Sequence, residues 1–366
     1  MNVYQMSMVA VMGLCVGAAG QDTHRKEFLV GGDISMLSRI GELGGVYREG
    51  GKQSDPLKIF KKYGWNCYRL RLFVNPTYRN AVVNDLPYTL ALAERIRVHG
   101  AKLLLNFHYS DTWADPGHQR KPAAWRDLDF DSLENKVREY TASVITEFSA
   151  KGVLPEMVQI GNEVTPGMLW PDGKIGREGD VEAQWERFTR LLKAGIDGVR
   201  EPLADGQSVR IMIHIDSGGN RQMTKWFFDN VIERDVPFDI IGLSYYPWWH
   251  GTMDALRDNL HATAKAYGKD IMVVETAYPH HGRFTQKPGD WSHERMAWPI
   301  SPQGQRAFLV ELIKTVRRTT DGRGIGVLYW YPESIPVEGL RVWCEGVMAL
   351  FDEHGKALPA VKAFQP

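Results

Sequence analysis

The sequence predicts a single (β/α)8 TIM barrel, and three observations lead there. Apolar runs of strand length alternate with helix-period segments along the whole chain of 366 residues. No break in composition divides that alternation, so one large domain is expected rather than two. Polar and aromatic side chains follow nearly every strand, where a doubly wound sheet would gather them at one switch point.

Taken in order, the strands fall at 28–32, 66–73, 102–107, 157–160, 210–215, 239–243, 270–274 and 324–329. Helical periodicity lies between them at 86–99, 133–150, 183–199, 253–267 and 303–318. Gaps of about 25 to 50 residues suit right-handed crossovers between parallel strands. Gly64, Gly100, Gly152 and Gly268 precede strands, as helix C-terminal caps do. The alternative, an open doubly wound sheet, lacks its phosphate loop: the first strand runs into GGDISML, which is no dinucleotide fingerprint.

Hydrophobic residues make up 43% and charged residues 24%, the range of a soluble globular protein. Lys plus Arg and Asp plus Glu are equal at 44, so charge gives no case for a nucleic-acid partner. The run 8–19, bounded by Gly20 and Gln21, is too short to span a bilayer and ends in small residues, although 1–7 holds no Lys or Arg. Residues 1–20 are therefore expected to be a secretion signal and 21–366 the barrel domain. The mature chain is then an exported monomer with no stable membrane insertion. Leu14 before Cys15 is larger than a lipoprotein site usually accepts, and Cys67 and Cys344 give no disulfide framework.

The strand ends carry the chemistry. Asp33 follows the first strand, and Arg69 and Arg71 lie on the second. HYSDTWADPGHQ places His108, Asp111, Trp113 and Asp115 after the third, and QIGNE places Asn162 and Glu163 after the fourth. His214 and Asp216 end the fifth, Tyr246 and Trp248 follow the sixth, Glu275 the seventh and Trp330 the eighth. In a barrel all of these converge on one mouth. A carboxylate at the end of an apolar strand is costly unless paired or useful, and Glu163 and Glu275 would face each other across that mouth. Such a pair is what glycosidic cleavage needs: one carboxyl protonates the leaving oxygen, the other attacks the anomeric carbon or activates water. The bland alternative is two satisfied salt-bridge partners of Arg69 or Arg71, which serves for either Glu better than for both.

Two other chemistries fit these residues less well. His108, Asp111, Asp115 and His118 have metal-ligand character, but Pro116 and Gly117 prevent them from sharing one helical face. A serine hydrolase would want GxSxG at a strand-to-helix elbow, and GLSYY lacks the second Gly. A sugar cleft with Trp113 as a stacking platform fits the segment better.

The segments NCYRLRLFVNP, HYSDTWADPGHQ, QIGNEVTPGMLWPDG, IMIHID, GLSYYPWW and VVETAYP, in this order, resemble family-53 glycoside hydrolases. These are endo-β-1,4-galactanases acting on the galactan side chains of pectin, retaining enzymes with the (β/α)8 fold. The resemblance implies Glu163 as acid/base, Glu275 as nucleophile, Asn162 on the sugar 2-hydroxyl, and Arg69 and Tyr246 on Glu275. It implies Trp330 as the floor of the −1 site, Trp113 and Trp248 as stacking residues, and Asp33, His108, Asp111, Asp115, His214 and Asp216 as cleft lining or its support. No cofactor is implied for the chemistry; the loop 280–299 offers Asp290 and Glu294 to a structural calcium without a defensible ligand pattern. One departure stands out: the family's Tyr-Trp-Glu-Pro-Ala is here Tyr329-Trp330-Tyr331-Pro332-Glu333, so a contact of the missing Glu is in question. A mannan- or glucan-cleaving relative, or a barrel that binds polysaccharide without cutting it, are the competing functions.

Overall fold

In the computed structural model, which describes residues 27–283 and 288–365, eight parallel strands close into a barrel. They are β1 (Leu29–Asp33), β2 (Cys67–Leu72), β3 (Lys102–Phe107), β4 (Met157–Ile160), β5 (Arg210–Ile215), β6 (Ile240–Ser244), β7 (Asp270–Glu275) and β8 (Gly324–Trp330). Neighbours in sequence are neighbours in space, and β8 closes the ring on β1. The expected barrel is thus the observed one. Several strands run one residue further than their apolar runs, so Asp33, Glu275 and Trp330 are last residues of strands rather than first residues of loops. The run 1–20 assigned to a signal lies outside the described residues. Among the described residues no helix is long and apolar enough to cross a membrane.

The outer layer comprises α1 (Pro56–Lys62), α2 (Leu86–Val98), α3 (Phe130–Ala150), α4 (Val181–Arg200), α5 (Arg221–Glu233), α6 (Met253–Tyr267) and α7 (Pro302–Arg317). Each starts on a side chain that accepts a hydrogen bond from a free N–H of the first turn: Asp55, Asp85, Asp129, Asp180, Asn220, Thr252 and Ser301. The glycines expected to cap helices or lead into strands have positive φ, from 59° at Gly268 to 85° at Gly64. Helices α1 and α5 were not predicted. In α5 the helical period is carried by Thr224, Phe227, Phe228 and Val231, and the threonine breaks the apolar pattern.

Inside the barrel, side chains form two kinds of layer. The lower one is an apolar plug of Leu29, Cys67, Leu104, Met157, Met212, Ile240, Met272, Val274, Ile325 and Leu328. The upper one holds Asp33, Arg69, Asn106, Gln159, His214, Ser244 and Glu275, all buried and all polar. Period-two alternation produces this split: within β2, Cys67 faces the plug and Arg69 comes next on the same face. Met212→Ala should therefore cost about 2–5 kcal/mol in a denaturant titration. A loss under 1 kcal/mol would mean that the plug is not close-packed.

Candidate active site

Glu275 reaches the mouth through an irregularity in β7. Met272 and Val274 both face the plug, so strict alternation would turn Glu275 outward. Instead the register with β6 slips: Leu243 pairs with Val273 and Ser244 with Glu275. This bulge re-aims the carboxylate into the barrel. There Arg69 Nη1 donates to Glu275 Oε1 at 2.7 Å and to Asp33 Oδ2 at 3.2 Å. The Tyr246 hydroxyl donates to Glu275 Oε2 at 3.2 Å, and burial keeps that phenol protonated by pushing its pKa well up. Burial raises the Glu275 carboxyl as well, and the Arg69 guanidinium opposes it.

Glu163 leaves β4 through a turn and holds φ +45°, a left-handed conformation uncommon away from glycine and frequent at functional sites. Its Oε1 accepts from Ser244 Oγ at 2.6 Å; among the described residues no cation forms an ion pair with it. Burial pushes its carboxyl well above the ordinary value, and the charges of Glu275 and Asp216 add to the effect. Of two carboxyls sharing one cleft, Glu163 is therefore pushed further toward the protonated form than Glu275, which Arg69 grips. Beside them Asn162 Oδ1 accepts from Arg69 Nη2 at 2.6 Å, while Asn162 Nδ2 donates one hydrogen to Ala114 O at 2.8 Å and has a second to give.

The cleft over these groups has a volume of about 860 Å³ and is lined by Trp113, Asp115, Asn162, Glu163, Tyr246, Trp249, Glu275, Trp330, Tyr331 and Trp343, among others. Seven of the residues expected from sequence lie on its wall: Trp113, Asp115, Asn162, Glu163, Tyr246, Glu275 and Trp330. Asp33, Arg69, His108 and His214 lie beneath it, fully or almost fully buried. His108 Nδ1 accepts from the Ala114 backbone at 3.0 Å and so holds the loop that carries Trp113. Asp216 bonds to Thr165 Oγ1 and acts on Glu163 through its charge.

One expectation needs correction. Trp248 is 1% exposed and packs against Tyr246 and Trp291, because the short turn Pro247–His250 directs it inward and its neighbour Trp249, 47% exposed, toward the cleft. Asp111 has the supporting role that the sequence allowed it: it accepts from the Asn75 and Ala123 backbones at 3.0 and 2.8 Å and ties the loops together behind the cleft wall. Glu333 does not replace the missing glutamate. It is fully buried, accepts from Met36 N at 3.0 Å, and burial pushes its carboxyl up to about 8. At position 331 the tyrosine ring instead lies 5.0 Å from the Arg71 guanidinium, which stacks at 4.3 Å on Trp113. Sequence reasoning missed Gln159, Ser244 and Trp343, and of the two tryptophans after the sixth strand it favours Trp248 over Trp249. Ser244 was legible as the last inward residue of its strand; Trp343 stands in a strained turn with no periodicity to reveal it. Asp290 pairs with Arg295 at 3.1 Å, and among the described residues no group of three His, Cys, Asp or Glu is placed to hold a metal.

A (β/α)8 barrel whose mouth sets two carboxyls in unlike surroundings on one cleft, from β7 and β4, has the architecture of a glycoside hydrolase. The chain belongs to Glycosyl hydrolase family 53, whose model matches residues 29–364. It is 43% identical over 352 residues to the "Uncharacterized protein in bgaB 5′region" of Niallia circulans, covering 92% of this chain and 93% of that protein. It is 33% identical to the arabinogalactan endo-β-1,4-galactanase of Thermothelomyces thermophilus, covering 89% of this chain and 96% of that enzyme. Among solved structures, the Ignisphaera aggregans GH53 catalytic domain superposes with a TM-score of 0.84 at 34% identity, covering 92% and 95% of the two chains.

Proposed function

We propose that this protein is an endo-acting β-1,4-galactanase that cleaves the galactan side chains of type I arabinogalactan by retaining double displacement. The unequal surroundings of the two carboxyls carry the mechanism. Glu275, paired with Arg69 and Tyr246, attacks the anomeric carbon; Glu163 gives its proton to the departing glycosidic oxygen. Once Glu275 is esterified its charge is gone, the Glu163 pKa falls, and Glu163 takes a proton from the water that hydrolyses the ester. The free Nδ2 hydrogen of Asn162 is placed for the sugar 2-hydroxyl. Trp113 and Trp330, both on the cleft wall, offer apolar faces to the rings, with Asp115 beside them as a hydroxyl partner. Acid–base chemistry of this kind needs no cofactor, residues 1–20 serve as a secretion signal, and the mature chain acts as a monomer.

The test is chromatography of products from galactan, arabinan, mannan and cellulose, with and without EDTA. Short galacto-oligosaccharides should come from galactan alone, at a rate EDTA leaves unchanged. Glu163→Gln should lose about 10²–10⁴-fold. Cleavage of mannan or cellulose instead would discard the substrate while keeping both carboxyls.

A further inference from the structure

Arginine donates hydrogen bonds and accepts none, and here that sets the direction of a chain running from one carboxyl to the other. Arg69 Nε donates to Gln159 Oε1 at 3.1 Å, which leaves Gln159 Nε2, a donor shared with Asn106 Oδ1 at 2.8 Å and Gly161 O at 2.9 Å, facing His214 Nδ1, 3.0 Å away. The backbone N–H of Glu163 points at the same ring nitrogen, at 3.4 Å. Two neighbours that only donate make Nδ1 an acceptor, so the ring hydrogen sits on Nε2. That nitrogen meets Ser244 Oγ at 2.9 Å. Ser244, its lone pair engaged by His214, spends its one hydrogen on Glu163 Oε1 at 2.6 Å. Burial and the Arg69 charge hold His214 neutral, with a pKa well below the ordinary value, which keeps the chain in this one arrangement.

We propose that Ser244 is a positioning residue for proton transfer, fixing Glu163 Oε1 as an acceptor so that Oε2 carries the catalytic proton in both steps. The proposal rests on the function given above. A proton on Oε1 would meet the serine hydrogen head-on, and relieving that would break the link to His214. In the first step the Oε2 proton passes to the glycosidic oxygen as its bond to C1 breaks and the Glu275–C1 bond forms. In the second, water adds to C1, the Glu275–C1 bond breaks, and the water proton returns to Oε2. Ser244 keeps its own proton throughout.

The same bond favours the charged form of Glu163 against the groups around it. Those are Glu275 on β7, Asp216 beyond β5, Arg69 on β2, and Tyr246 beyond β6, with Asp115 on the same cleft wall. Losing the serine hydroxyl should therefore raise the Glu163 pKa and move the alkaline limb of kcat/KM, which falls as Glu163 loses its proton, to higher pH.

The experiment compares wild type, Ser244→Ala and Ser244→Thr on galactan and on 2,4-dinitrophenyl β-galactobioside, whose leaving group needs no proton. Ser244→Ala should lose roughly 10–100-fold in kcat/KM on galactan, shift the alkaline limb upward, and stay within a few-fold of wild type on the dinitrophenyl substrate. Ser244→Thr should restore both rate and limb. An unmoved limb, or an equal loss on both substrates, would reduce Ser244 to packing and overturn the proposal. Should Ser244→Ala not fold, Ser244→Cys, a weaker donor, must show the same displaced limb or the proposal fails. Wild type inactive on both substrates would instead remove the galactanase reading itself.

Discussion

Glu275→Ala is expected to lower galactan turnover by on the order of 10⁴-fold or more while galacto-oligosaccharide affinity stays within a few-fold. In the proposed mechanism the carboxylate forms the bond to the anomeric carbon, and neither buried neighbour can take over that role: Asp33 is fully buried beneath Arg69, and Glu163 acts on the other side of the bond. Binding survives because the aromatic walls and Asn162 remain. Calorimetry with the oligosaccharide and initial rates on galactan separate the two quantities. Added azide sharpens the result. An anion entering where Glu275 stood attacks from the nucleophile's face, so an activated β-galactoside should yield the α-galactosyl azide. Residual turnover above about one per cent of wild type, against a loss of that size, would sink the assignment.

Arg69→Met should be the most damaging substitution for the fold and the site together. Arg69 is completely buried and donates to Asp33, Gln159, Asn162 and Glu275 at once. Removing it leaves buried Glu275 without its cation and Asp33 with Arg71 alone, 3.5 Å away, a defect worth about 3–5 kcal/mol, read as a lowered denaturant midpoint. Glu275 loses the charge that opposes its burial, so its pKa rises. The acidic limb of kcat/KM, where Glu275 must be ionised, then moves to higher pH. Arg69→Lys keeps a charge but not the forked donors, and should restore stability more than activity. A Met variant as stable as wild type would show that the buried ion pairs contribute nothing to the fold.

Most of the architecture was legible because it rests on short-range physics. Three barrel strands, at 102–107, 157–160 and 210–215, begin and end where their apolar runs do. Helix α5 escaped because a single threonine interrupts its buried stripe. The site was legible only where it coincides with a strand end. Glu163 and Glu275 could be paired across the mouth from strand order alone, but the bulge that turns Glu275 inward is a matter of register with β6 and leaves no trace in composition. The choice between Trp248 and Trp249 depends on one turn of backbone, and adjacent identical residues give pattern reasoning nothing to separate them. Gln159 was hidden for the opposite reason. It sits inside an apolar run, and only the packed barrel shows that its amide joins Arg69 to His214.

The apolar plug also settles how a polymer can meet this enzyme. The barrel is a cup, closed below by Leu29, Leu104, Met212, Leu328 and their neighbours, so no chain can be threaded along its axis end first. A galactan strand must come to rest broadside across the rim, with both tails lying outside. Where it lands then need not follow where the polymer begins or stops, which suits a cut in mid-chain.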